Sequence, residues 1–185
     1  MGTTIYGKEQ AIDIGRFNGN PFLYVAAFGI FTKVVYTTPQ ATKNIMGHAA
    51  YILEGAKQIS ELQTYKLRLS VDAGVYEGAF LLGLVTNSFS VGGMKNRVSL
   101  DIELDDGLFE VLFIKAPENI LDLNSIIRAL TVETPSESDS IIMCKTSHVR
   151  VEHFSTTEWT LDGEYGGAQD MVDISIHNKE FKIIV

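Results

Sequence analysis

The amino-acid sequence predicts a mainly β fold, an antiparallel β-sandwich carrying two helices, as one domain over residues 1–185. Three observations lead there. Most of the chain reads as short runs rich in Val, Ile, Phe and Tyr, residue types that suit a pleated, half-buried surface. Tight-turn signals such as Asn-Gly and Asp-Gly fall between those runs and favour antiparallel neighbours. Only two stretches carry apolar residues at helical spacing. Hydrophobic residues make up 45% of the chain and charged residues 21%, ordinary globular proportions that exclude a disordered or fibrous chain.

Residues 11–17 and 22–31 are apolar, β-rich runs on either side of "NGN", which predicts a hairpin turning at Asn18-Gly19. Thr38 and Pro39 form an N-cap and a first helical residue. Ile45, Ala49, Ile52, Ala56 and Ile59 then recur at helical spacing, so a long helix is expected to end near Leu62. Leu67, Leu69 and Val71 alternate with Lys66, Arg68 and Ser70 as in a half-exposed strand that closes at "DAG". Residues 75–86 read as a more buried strand, and "NSFSVGGMKN" as a loop carrying Gly92-Gly93. Strand character flanks a turn at Asp105-Asp106-Gly107. Beyond it, Pro117 is expected to open a short helix that faces Ile120, Leu123, Ile127 and Leu130 inward. "TVETPSESD" is a polar connector, and residues 141–154, 157–161, 171–177 and 181–185 read as strands.

Several function classes drop out. A formal charge of −8 lacks the clustered cations that a nucleic-acid partner requires. The single cysteine, Cys144, has no partner for an internal disulfide and reads as a small buried hydrophobe in a reducing compartment. The apolar runs "FLYVAAFGIF" and "AFLLGLV" fall short of the roughly 18 residues of a membrane span, and no signal-peptide core opens the chain, so a soluble, cytoplasmic protein is expected. His48, His148, His153 and His177 lack the spacing of a zinc site. No G-x-S-x-G is present, and Gly92-Gly93 does not continue into a P-loop.

Two acidic turns remain. In "WTLDGEYGG", Asp162-Gly163 is a hairpin signal in its own right, and the competing reading aims Asp162 and Glu164 at a reacting group. In the acidic cluster Asp101, Glu103, Asp105, Asp106 around the second turn an EF-hand fails, because the glycine falls one place late and Leu112 stands where the closing Glu belongs. That turn is either a solvated one or one in which Asp106 joins backbone carbonyls around a hard cation such as Mg²⁺.

Taken in order, "AIDIGRFNGNPFLYVAAFGIFTKVV", "IMGHAAYILEG", "NSFSVGGMKNRVSLDIELDDGLFEVLFI" and "WTLDGEYGG" resemble the C-terminal domain of the bacterial diacylglycerol kinase-like lipid kinases. The resemblance covers most of the chain, and Leu-Asp-Gly-Glu is its most specific element. That family is similar in fold to NAD kinases and 6-phosphofructokinases. It pairs a β-sandwich C-terminal domain with an α/β N-terminal domain whose Gly-Gly-Asp-Gly-Thr loop holds the nucleotide. No such loop occurs here, and strand-like pattern begins almost at residue 1. The chain is therefore expected to start within a longer protein and to be inactive by itself.

The resemblance implies that Glu164 is the general base toward a lipid hydroxyl and that Asp162 beside it is a supporting or metal-facing carboxylate. It also implies a structural Mg²⁺ held by the Asp106 carboxylate with the carbonyls of Glu103 and Leu108. Asp13 then either joins the water network around that ion or is an ordinary surface residue. ATP is the implied co-substrate, bound mainly by the missing domain, and the implied partner is a lipid such as diacylglycerol. An acidic domain attracts anionic lipid weakly, so transient peripheral contact at the inner membrane surface, through exposed apolar residues, is expected. Homodimerisation is left open. The alternative is a non-catalytic lipid-binding or regulatory β-domain without a nucleotide partner.

Overall fold

The computed structural model describes residues 9–29, 53, 60, 62–87, 104–131 and 139–184. The described chain is mainly β. Its strands are β1 (Glu9–Phe17), β2 (Asn20–Phe22), β3 (Val25–Gly29), β4 (Tyr65–Val71), β5 (Gly74–Thr86), β6 (Phe109–Lys115), β7 (Ile141–Thr146), β8 (His148–Leu161) and β9 (Glu164–Ile184), with one helix, α1 (Ile120–Thr131), between β6 and β7. The helix expected from Thr38 to Leu62, the Gly92-Gly93 loop and Glu103 lie outside the described residues. Within that helical span, Leu53 is described as helical and buried.

All the strand pairs are antiparallel, in the order β2-β1-β9-β8-β3-β5-β6-β7, with β4 bridging β5 and β8. The expected mainly antiparallel β architecture is present, and the described strands close into a barrel rather than stacking clearly as two sheets. Closure comes from two long strands that each pair with both β3 and β4. Leu67–Ser70 of β4 faces Arg150–His153 of β8, and Ala26–Phe28 of β3 faces Trp159–Leu161 of the same strand. Likewise β5 gives its first half to β4 and its second half to β3.

The barrel interior is aromatic: Trp159, Phe17, Phe28, Phe80 and Phe113 are fully buried with Leu67 and Leu69. Phe28 meets Trp159 at 4.8 Å and Phe113 at 5.6 Å between ring centroids, tilted and edge-on geometries that such rings prefer. A second cluster lies on the outer face, where Val25, Ala27, Leu82, Leu84 and Leu112 pack with Leu53 and with Leu123, Ile126 and Leu130 of α1. Strands β5 and β6 are thus covered on both faces, which explains their unbroken apolar runs.

Five expected boundaries move. The run 22–31 is broken at Leu23-Tyr24, because the N–H groups there bond a side chain instead of a neighbouring strand. Residues 141–154 divide at Ser147, where Thr146 Oγ1 and the Asp72 carboxylate bind the corner at 2.9–3.1 Å. Residues 155–156 and 178–180, expected as breaks, lie inside β8 and β9 as irregularities in register. The α1 cap is Asn119, not Pro117: its Oδ1 accepts from the N–H groups of Leu121 and Asp122. Leu123 and Leu130 are buried as expected and Ile127 packs partly buried against the same cluster, but Ile120 is exposed and Ile126 is buried as well.

Candidate active site

Leu161 and Glu164 pair across a two-residue turn in which Asp162 and Gly163 both have positive φ, 52° and 91°. That is the twist-matched hairpin geometry Asp-Gly favours. The same device closes β1 to β2, at Asn18 (φ 47°) and Gly19 (φ 87°).

The Asp162 carboxylate is turned back against the chain. Its Oδ2 accepts from Leu23 N–H at 2.7 Å, and its Oδ1 from the N–H groups of Tyr24 and Val25, each at 2.8 Å. The Asp162 N–H in turn donates to Val25 O at 2.8 Å. One carboxylate thus satisfies three successive backbone donors, a compact anion nest. The β8–β9 hairpin is clamped to the segment between β2 and β3. Beside the clamp lies a cleft of about 500 Å³, its wall including Ile14, Phe22, Leu23 and Phe181, with Asp162 at its edge.

Glu164 is the first residue of β9 and is exposed. Among the described residues no hydrogen bond or ion pair engages its carboxylate. Its backbone is held in the β8 pairing, while its side chain is left available. Tyr165, next to it, is exposed as well.

The acidic turn at residues 105–107 sits elsewhere, and no described hydrogen bond joins the two groups. Asp13 belongs to this second group and is no surface residue: it is fully buried at an irregular position in β1. Its Oδ2 accepts from Gly107 N–H and its Oδ1 from Lys179 N–H, both at 2.7 Å. Its N–H donates to Leu104 O, and its carbonyl accepts from Asn87 Nδ2, both at 2.8 Å. Asp13 therefore pins the turn to a kink in β9, where Lys179 has φ 55°.

Whether this turn fits a Mg²⁺ ion depends on its oxygens, since the ion demands near-octahedral oxygen ligands at about 2.0 to 2.1 Å. Leu104 O is taken by Asp13 N–H, and Asp105 O accepts from Asn178 Nδ2 at 3.3 Å. Asp106 Oδ1 accepts from Leu108 N–H at 3.0 Å, and its Oδ2 meets the Lys145 ammonium at 2.8 Å. Among the described residues no three His, Cys, Asp or Glu side chains converge into a metal-holding group. Both oxygens of Asp106 are thus already engaged within the described residues, while Glu103, whose carbonyl the resemblance places in the ligand set, lies outside them. Sequence reasoning passed over Lys145, which is opposite Glu110 in the β6–β7 register; such a cross-strand charge pair is legible only once the register is known.

The described chain is thus a closed antiparallel β-domain that carries a clamped Asp-Gly hairpin. Residues 25–184 match the YegS C-terminal NAD kinase beta sandwich-like domain, and the chain belongs to that family. It is 33% identical over 168 residues to the diacylglycerol kinase of Bacillus subtilis (strain 168), covering 89% of this chain and 54% of that protein. It is 30% identical over 163 residues to the diacylglycerol kinase of Staphylococcus aureus (strain JH9), covering 88% and 51%. The chain spans about half the length of these curated relatives. A crystal structure of a diacylglycerol kinase from Bacillus anthracis str. Sterne superposes with a TM-score of 0.61 at 17% identity, covering 96% of this chain and 54% of that one. A second structure from the same organism reaches 0.70 at 19% identity. These likenesses show the fold.

Proposed function

We propose that this chain is the lipid-facing domain of an ATP-dependent lipid kinase and that Glu164 accepts the proton of the lipid hydroxyl as phosphate is transferred. The observation that carries the reading is the pairing of a rigidly clamped turn with a carboxylate that has no partner among the described residues. Phosphoryl transfer relies on positioning, and the acceptor hydroxyl needs a base within hydrogen-bond reach. Asp162 supports the base by fixing the hairpin. Its oxygens already serve three N–H groups, so it is the supporting carboxylate of the two roles considered.

The apolar cleft beside Asp162 suits the glycerol and acyl portion of a diacylglycerol-like substrate. Leu23, Tyr165 and Phe154 are exposed and suit brief contact with a bilayer. No described helix is long and apolar enough to cross a membrane. Binding and orienting ATP would fall to a nucleotide domain of the kind found in this family, where Mg²⁺, when bound, would supply charge neutralisation on the transferring phosphate.

The test is transfer of radiolabelled phosphate from ATP to diacylglycerol in mixed micelles. The full-length protein that carries this chain is expected to make phosphatidic acid, and the purified 185-residue chain none. Failure of the full-length protein, or turnover by the chain alone, contradicts the assignment.

A further inference from the structure

We propose that the Lys145 ammonium is the resident cation of the Asp105-Asp106-Gly107 turn and that this turn requires no divalent metal. Two carboxylates lie near this ammonium, and a third, that of Asp105, pairs with a different lysine. Asp106 Oδ2 lies 2.8 Å from Lys145 Nζ, Glu110 Oε1 lies 3.8 Å from the same nitrogen, and Asp105 Oδ2 lies 3.4 Å from Lys179 Nζ. The Lys145 and Asp106 side chains are each only 18% exposed and Glu110 is fully buried, so screening by solvent is weak and the charges must be matched within the protein.

The ammonium does what a structural ion would do there. It is a compact point charge on a flexible stem, and it links the turn to β7 while neutralising Asp106. A divalent ion placed on the same carboxylate oxygen would face that ammonium at a few ångströms and be repelled by it. The remaining geometry of the turn is supplied by Asp13, which grips the Gly107 N–H from the opposite side. The turn is thus held by one buried carboxylate and one ammonium, both from this chain. This inference does not rest on the kinase reading.

Thermal unfolding of the full chain in millimolar MgCl₂ and in EDTA tests it. A structural Mg²⁺ present at 100 times its dissociation constant would raise the melting temperature by roughly 5 to 10 °C. We expect the two melting temperatures to agree within about 1 °C. Asp106→Asn should lose the same number of degrees in both solutions, and Lys145→Met should lose more, because it leaves Asp106 and Glu110 without their shared cation. If Lys145→Met does not fold, Asp106→Asn and direct Mn²⁺ titration by electron paramagnetic resonance carry the test, with no stoichiometric bound Mn²⁺ expected in the unaltered chain. Stabilisation of the unaltered chain by Mg²⁺, a greater Asp106→Asn loss in Mg²⁺ than in EDTA, or an unchanged melting temperature in Lys145→Met overturns the proposal.

Discussion

Asp162 and Glu164 are two residues apart and chemically alike, yet their surroundings give them different work. Asp162 accepts three backbone hydrogen bonds and Glu164 accepts none from the described residues. Charge-assisted bonds of this kind resemble a helix N-cap, whose removal costs about 0.5 to 2 kcal/mol. Asp162→Ala should therefore cost about 1 to 2 kcal/mol, or roughly 2 to 8 °C in melting temperature. Asp162→Asn, which keeps one acceptor oxygen and tolerates the left-handed backbone, should lose less. Calorimetry of the three proteins checks the order; an Ala variant as stable as the unaltered chain would show that water replaces the clamp at no cost. None of this was legible in "WTLDGEYGG". The turn follows from Asp-Gly itself, but the clamp joins residues 137 to 139 positions apart, and local pattern carries no information at that distance. For the same reason Asp13 remained open as a surface residue until the fold closed over it.

At the scale of the element, β8 shows how a strand break read from sequence can be a buried polar station. His153, Thr157 and Trp159 all lie on β8, on either side of its irregular stretch. Trp159 Nε1–H donates to His153 Nε2 at 3.2 Å, so the proton of the neutral ring sits on Nδ1, which donates to Thr157 Oγ1 at 3.1 Å. Phe28 stands edge-on to the ring, with 5.2 Å between centroids. Burial lowers the His153 pKa to about 4, against a smaller raising influence from Asp170. The folded-state value lies below the unfolded one of about 6.5, so the unfolded chain takes up the proton first. Stability from this group is fully present above about pH 6.5, is lost as pH falls towards 4, and amounts to roughly 3 kcal/mol over the window. Urea titrations followed by the fluorescence of the one tryptophan should show a steeper loss between pH 6.5 and 4 in the unaltered chain than in His153→Gln. Equal pH dependence in the two proteins would mean that His153 does not titrate in this way.

Elements with strong local signatures were legible: the Asn18-Gly19 hairpin, the alternation of β4 and the β5 run all fall where the residues place them. The α1 cap was displaced because Pro117 and Asn119 are both plausible openers. The Asn119 side chain reaches the Leu121 and Asp122 N–H groups, so Ile120 falls at the exposed first position of the helix while Leu123 and Leu130 keep the expected buried face.

For the whole molecule, periodicity identified strands but not their partners, so barrel closure through β5 and β8 could not be distinguished from a sandwich. The family was legible because the Leu-Asp-Gly-Glu element and three further segments occur in the expected order, and residues 25–184 carry that family's domain. The metal expectation came from the same resemblance.

The central proposal is that Glu164 of this β-domain accepts the proton of the lipid hydroxyl while the nucleotide is held elsewhere. In the full-length protein, Glu164→Gln preserves the shape of the side chain and the hairpin while removing the base. A general base contributes typically 10²- to 10⁴-fold in rate, whereas an exposed side chain away from such features shifts stability by no more than about 0.5 kcal/mol. Steady-state lipid phosphorylation by Glu164→Gln should therefore show kcat reduced by about 10²- to 10⁴-fold, with the KM for ATP and the melting temperature nearly unchanged; a kcat close to that of the unaltered enzyme would contradict the account and leave Asp162-Gly163-Glu164 as a structural hairpin.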